Sequence, residues 1–370
     1  MIRDALQRAG GWLNFERFME LALYAPGLGY YSAGAHKLGA GGDFTTAPEI
    51  SPFFSRCLAN QCAAVLSELR TGDILELGAG SGVMAADMLL QLQALDALPE
   101  RYCILEVSAD LRARQRLLLQ ARVPHLFHKL HWLDELPIDF VGIMVANEVL
   151  DALPVQRFRI AQGLVQALGV AGDDQHFYWQ AQPADEQLKQ VVQGISANTG
   201  QRFAEGYCSE VNLRLTPWIH SLATCLQRGA LLFIDYGLPQ AQYYNAERAQ
   251  GTLACFFQHR MHDNPFTHIG LQDITAWVDF TAVAEAGLQA GLELRGFATQ
   301  AHFLLGAGLD RLASESADSL TDTQRWQRSQ QIQKLTLPTE MGESFKVMAF
   351  GKKCDAQLSG FAFRDLRDRL

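Results

Sequence analysis

The stretch ILELGAGSGVMAADML, Ile74 to Leu89, decides the fold. An apolar run closes on Glu76 and Leu77, glycines follow at 78, 80 and 82, and a second apolar stretch begins at Val83. The pattern predicts a short buried strand over Asp73–Leu77, a tight turn, and a helix over Val83–Leu95. Residues without a Cβ take positive φ and let a ligand approach the backbone, while free N–H groups at the helix start attract negative charge. The spacing excludes three familiar loops. A dinucleotide fingerprint needs its third glycine where Val83 stands, a P-loop needs a closing Gly-Lys-Ser/Thr, and a nucleophile elbow needs glycines at 79 and 83 around Ser81.

Outward from this loop, helix-like and strand-like segments alternate. Ser51–Leu69 reads as a helix, Tyr102–Val107 as a strand, Ala109–Ala121 as a helix, and His125–Leu130 and Phe140–Ala146 as strands. Ala230–Asp235 makes a fifth strand, Ile274–Ala290 a helix, and Leu292–Phe297 and Phe345–Gly351 two late strands, the last inserted antiparallel. The expected fold is α/β: a doubly wound, mostly parallel seven-stranded sheet with ligands at the carboxyl ends of its strands. Residues 1–60 are expected as an N-terminal helical cap and cofactor lid, and 61–153 as the first half of the core. Residues 154–229 form an inserted substrate-recognition segment, 230–354 the second half with another insertion at about 238–273, and 355–370 a tail. The polar stretch Ser314–Gln333 reads as a solvated helix.

Composition narrows the class. With 370 residues, 48% of them hydrophobic, the chain can bury a large core. A net charge of -9 argues against a nucleic-acid surface and fits a cationic partner better. Seven scattered cysteines without a CxxC pair indicate reduced thiols. The N-terminus lacks a secretory apolar region and no apolar run reaches the roughly 20 residues of a membrane span, so the expectation is no membrane insertion and a cytoplasmic location.

The segment E-L-G-x-G-x-G resembles motif I of the class I S-adenosylmethionine-dependent methyltransferases. The resemblance implies S-adenosyl-L-methionine as cofactor and S-adenosyl-L-homocysteine as product, with Glu76, Gly78, Ala79, Gly80, Gly82 and Asn147 in the cofactor site. Glu106, in YCILEVSADL beside Val107, is placed where a carboxylate accepts hydrogen bonds from both ribose hydroxyls; alone it would read as a solvated strand-end acid. HWLDELP offers Trp132 and Leu133 as an apolar wall for adenine, with Asp134 beside them, although Trp132 also suits plain core.

Further blocks resemble a narrower family, the MidA-like methyltransferases, whose mitochondrial members are arginine methyltransferases that assist assembly of respiratory complex I. They include MELALYAPGLGYY (19–31), GGDFTTAPEISPFF (41–54), ANEVLDALPVQRF (146–158), LLFIDYG (231–237), GTLACFFQHRMHDNPF (251–266), QDITAWVDF (272–280) and MGESFKVMAF (341–350). This implies a protein substrate, a complex I subunit among the candidates, and leaves a homodimer open. Asp43 and Thr45, with Phe44 between them, are expected to close over the cofactor, or else to cap the helix that follows.

Glu148 and Asp151 stand where acceptor-binding residues lie in this superfamily, three apart on an emerging turn. A protonated guanidinium has no free lone pair, so carboxylates must orient it and take its proton; the other reading is acids favoured by a helix dipole. Asp235 and Tyr236 end the fifth strand as substrate-side candidates, with a buried structural Asp as the alternative. His259 and His262 are further substrate-side candidates, or surface polar residues. Their spacing forms no closed zinc pattern, and no metal is expected. Two other functions stay open: methylation of a small molecule or another side chain, and a non-catalytic assembly factor on the same fold.

Overall fold

A computed structural model describes residues 1–32, 46–173, 175–315 and 320–370. The expected lid residues Asp43, Phe44 and Thr45 lie outside the described residues. In the core, helix α1 (Phe15–Tyr24) precedes α2 (Pro52–Leu69), which Ser51 opens by accepting the Phe53 N–H at 3.3 Å, with Pro52 in the first turn. Then follow β1 (Asp73–Leu77), α3 (Val83–Ala94), β2 (Tyr102–Leu105), α4 (Ala109–Arg122), β3 (Leu130–Leu133) and β4 (Phe140–Asn147). After a long excursion come α5 (Leu215–Cys225), β5 (Leu226–Leu238), α6 (Phe280–Gln289), β6 (Glu293–Thr299) and β7 (Phe345–Lys352).

The central sheet runs β6-β7-β5-β4-β1-β2-β3, and a two-residue strand, Val278–Asp279, pairs parallel with the end of β5. It is a mixed sheet of eight strands, which corrects the expected seven-stranded count: β7 is antiparallel to both β5 and β6. All five residues of β1 are buried, as in a central strand covered on both faces, and apolar clusters fill the two sides.

Two predicted elements differ. Residues Pro124–Lys129 form a 3₁₀ turn instead of a strand, because Pro124 fixes a turn-compatible φ, and pairing starts only at Leu130. The helix expected from Ile274 begins at Phe280. There the Asp279 carboxylate accepts the N–H groups of Thr281 and Ala282 at 3.0 and 3.2 Å, whereas Asp273–Thr275 is extended.

The excursion after β4 has a sheet of its own. Strands Gln156–Ala161, Leu164–Gly172, Phe177–Pro183 and Cys208–Val211 pair antiparallel, and Trp12–Leu13 joins their edge, so the N-terminal residues and the excursion share one layer. A third small sheet joins Ala254–Phe257, Arg260–His262 and Asp273–Thr275. Phe15, Phe18, Val155, Val170, Cys255 and Ile274 form a common core that holds these pieces above the carboxyl ends of β1 and β4. Among the described residues no helix is long and apolar enough to cross a membrane.

Candidate functional site

From β1 the chain winds outward to β2 and β3, then returns to the other side of β1 as β4. The carboxyl ends of β1 and β4 therefore diverge at a switch point and leave a crevice. It opens as a cavity of about 290 Å³, lined by the glycine loop, Glu106, Val107 and Leu111 at one end and by Asn147, Glu148, Tyr24 and Tyr31 at the other.

The glycine loop takes the conformation its composition permits. Gly78, Gly80 and Gly82 have φ of 66°, 54° and 87°, and a Cβ on Gly78 would lie 3.1 Å from Val149 Cγ2. Gln115 ties the loop to its neighbours. Its Nε2 donates to Gly80 O at 2.9 Å and to the Glu106 carboxylate at 3.2 Å, while its Oε1 accepts from Trp132 Nε1 at 2.9 Å. The Glu106 carboxylate also accepts the Ser108 N–H at 3.0 Å, and burial moves it above the ordinary carboxylate range despite that bond. Glu76 accepts from Tyr102 Oη at 2.7 Å; burial, with Glu106 nearby, pushes it up to about 7.

At the other end Glu148 adopts φ 53°, a conformation that strains a residue with a side chain. Its N–H donates to Ile234 O at 2.9 Å, and the fully buried Asp235 accepts the N–H groups of Leu150 at 2.9 Å and Asp151 at 3.2 Å. Asp235 thus pins the turn that presents Glu148. Burial, then the Asp151 charge, pushes the Glu148 carboxyl up to about 8, although it accepts bonds from Asn147 Nδ2 (3.1 Å) and the Ala47 N–H. Asp151 is buried; Tyr236 Oη donates to its Oδ2 at 2.6 Å, while its Oδ1 has no partner among the described residues. Asn147 Oδ1 is likewise buried without a partner. Tyr24 and Tyr31 stack at 5.4 Å; Tyr24 Oη donates to Ala152 O at 2.9 Å and Tyr31 Oη to the Asp273 carboxylate at 3.0 Å.

Four carboxylates, Glu49, Glu76, Glu106 and Glu148, line this cavity, and none of its described lining residues is Lys, Arg or His. Such a site favours cations.

Of the residues singled out from sequence, Glu76, Gly78, Ala79, Gly80, Glu106, Val107, Asn147 and Glu148 line the cavity, and Gly82 closes its loop. Asp151 lies directly behind the wall. Trp132 and Leu133 do not line it: Trp132 turns to Gln115 and stacks under Arg116 at 4.6 Å, and Asp134 is exposed and paired with Arg112. Apolar residues that do line it include Leu105, Val107, Leu111 and Trp218. Asp235 is an internal anchor and Tyr236 a support for Asp151, so neither faces the cavity. His259 and His262 lie on the hairpin Ala254–His262, away from it: His259 is exposed, and His262 Nδ1 accepts the Asn264 N–H at 3.3 Å.

Sequence reasoning missed Gln115, Trp218, Tyr24 and Tyr31 as site residues. The last two fall inside MELALYAPGLGYY, a signal that was there to use, whereas Gln115 is one polar residue in an amphipathic helix.

Comparison with known proteins gives a consistent result. A family model described as "Putative S-adenosyl-L-methionine-dependent methyltransferase" matches residues 57–298. A Burkholderia thailandensis crystal structure with S-adenosyl-homocysteine bound superposes with a TM-score of 0.94 at 42% identity, over 100% of this chain and 95% of that one. Curated relatives include the mitochondrial protein arginine methyltransferase NDUFAF7 homolog of Drosophila melanogaster, 28% identical over 92% of this chain and 81% of its own length. The Danio rerio protein arginine methyltransferase NDUFAF7, also mitochondrial, is 27% identical over 91% and 83%. Because these relatives are named as mitochondrial, they overturn the expectation of a cytoplasmic location.

Proposed function

The chain belongs to the S-adenosyl-L-methionine-dependent methyltransferase family, in its MidA-like branch, and from that premise we propose that it methylates an arginine side chain of a protein partner. The observation that carries the acceptor assignment is the buried Asn147 Oδ1 on the cavity wall beside the carboxylate of Glu148, with the buried Asp151 Oδ1 behind it; neither oxygen has a partner among the described residues. Buried acceptors left alone are costly, and these call for a group rich in N–H donors. A guanidinium brings five in a planar fork and carries the positive charge favoured by a cavity whose charged residues, among those described, are all acidic.

The cofactor end fits the same reading. The positive-φ glycine backbone would take the amino-acid end, Glu106 the ribose hydroxyls, and Leu105, Val107, Leu111 and Trp218 the flat adenine. When bound, S-adenosyl-L-methionine supplies a methyl group on a positively charged sulfur, open to attack by nitrogen. The chain's own task is then to hold, orient and deprotonate the acceptor.

Glu148 does the last of these. With its carboxyl near 8 it is largely protonated in the empty cavity at pH 7, and an entering cation drives that proton off. The ionised carboxylate orients the guanidinium and accepts the proton its nitrogen gives up as the N–CH₃ bond forms. Asp151 shares the cation's charge, and Asp235 positions both by fixing the 148–151 turn. A respiratory complex I subunit is the partner the family resemblance implies. Mass spectrometry of cell protein with wild-type chain or Glu148→Gln tests the acceptor: a methylarginine present only with the wild type supports it, and unchanged arginine methylation refutes it.

A further inference from the structure

The C-terminal residues fold back along β6. The Leu366 N–H donates to Phe297 O at 2.6 Å, and the Arg367 guanidinium to Leu294 O at 2.9 Å. This brings Arg364 and Arg369 over the end of β6 and the start of β7, where they enclose a separate cavity of about 170 Å³ with Thr299, His302 and Lys346. It shares no lining residue with the switch-point cavity.

The charges in this pocket are lopsided. Lys346 is only 6% exposed and pairs with no carboxylate among the described residues; its ammonium donates to the carbonyl oxygens of Glu343 and of Ser344, the latter at 3.2 Å. An ammonium has three N–H donors, so one is left over. Burial lowers Lys346 to about 8, outweighing the opposite pull of the Glu343 charge. His302, bonded through Nδ1 to Thr299 Oγ1 at 2.8 Å, is pushed down by burial and then by Arg364. The guanidinium groups of Arg364 and Arg369 make no hydrogen bond or ion pair with a described residue. Glu343 is the one carboxylate among the described lining residues, so positive charge is in excess there in a chain whose net charge is -9.

We infer that this pocket binds a phosphate-sized oxyanion, gripped by Arg364 and Arg369 from the rim and by the remaining Lys346 N–H from the floor. Guanidinium groups suit the paired oxygens of such an anion, and charge-assisted bonds to it exceed neutral ones in strength. At about 170 Å³, against about 290 Å³ for the switch-point cavity, the pocket fits an ion or one phosphoryl group better than a nucleotide. The site also gives a use to the MGESFKVMAF block, which the methyl-transfer chemistry leaves unassigned.

Calorimetric titration of the full chain with inorganic phosphate, and separately with O-phosphoserine, tests this at ionic strength held constant with chloride. The expected result is saturable one-site binding, weakened about tenfold or more by Arg364→Ala or Arg369→Ala. Both residues are exposed, so melting curves and S-adenosyl-homocysteine binding should be unchanged. Binding of phosphate alone assigns the pocket to the free ion, and binding of phosphoserine as well assigns it to a phosphorylated side chain. Absence of saturable binding for both, or binding that neither substitution weakens, overturns the inference.

Discussion

Replacing Glu148 by Gln should make the ligand-free protein more stable in alkaline solution while removing its activity. The carboxyl rises from an ordinary 4.5 to about 8 on folding, because burial and the Asp151 charge disfavour its ionised form. For an acid whose folded pKa is raised, the unfolded chain releases the proton first. Stability is therefore intact below about pH 4.5, falls as pH rises toward 8, and carries the full deficit above it. At about 1.4 kcal/mol per pH unit the deficit approaches about 5 kcal/mol. Local relaxation and water entry would leave about 2 kcal/mol or more visible. Glutamine keeps the shape and an acceptor oxygen but has no proton to lose. Calorimetric melting at pH 5 and pH 9 reads the difference: nearly equal midpoints at pH 5, and a variant about 4 °C above wild type at pH 9, using about 2 °C per kcal/mol for a chain of this size. A variant that melts at or below wild type at pH 9 would refute the reasoning.

Three other outcomes follow from the same geometry. Affinity for S-adenosyl-L-methionine should climb between pH 6 and 9 as Glu76 and Glu148, near 7 and 8, lose their protons and meet the cation; a flat profile by calorimetry would contradict this. Gly78→Val puts a branched side chain at φ 66° and against Val149, so it should cost about 2 kcal/mol in a denaturant melt and abolish cofactor binding. Gln115→Leu removes the ties to Gly80, Glu106 and Trp132 together; S-adenosyl-homocysteine binding should weaken about tenfold, and unaltered affinity would show that Gln115 does not hold the loop.

The parts of this molecule legible in its sequence are those governed by local rules. The glycine loop could be read because alternate glycines between a buried strand and a helix admit few backbone paths, and all three have positive φ. The place of Glu148 at the cavity could be read because it follows directly on β4, at the carboxyl end of a central strand. Long-range packing was harder. Trp132 sits on β3, which starts at Leu130 where the expected strand His125–Leu130 ends, and the ring's direction depends on Gln115 and Arg116 from α4. Asp235, the predicted end of the fifth strand, lies inside β5, which runs on to Leu238, and its carboxylate turns inward to backbone N–H groups on the neighbouring turn. His259 and His262 belong to a hairpin whose placement is set by a third sheet, and nothing near them in sequence announces that. The pairing of Trp12 with Ala171 and of Leu13 with Val170 joins residues 159 and 157 positions apart and leaves no local trace.

The account rests on an acidic, glycine-walled cavity that receives a sulfonium nucleoside and grips its sugar through Glu106. Titration calorimetry with S-adenosyl-L-methionine, on wild type and on Glu106→Ala, addresses this directly. One molecule should bind per chain, and loss of the carboxylate should weaken binding tenfold or more. No measurable binding to the wild type, or equal binding by both proteins, would contradict it.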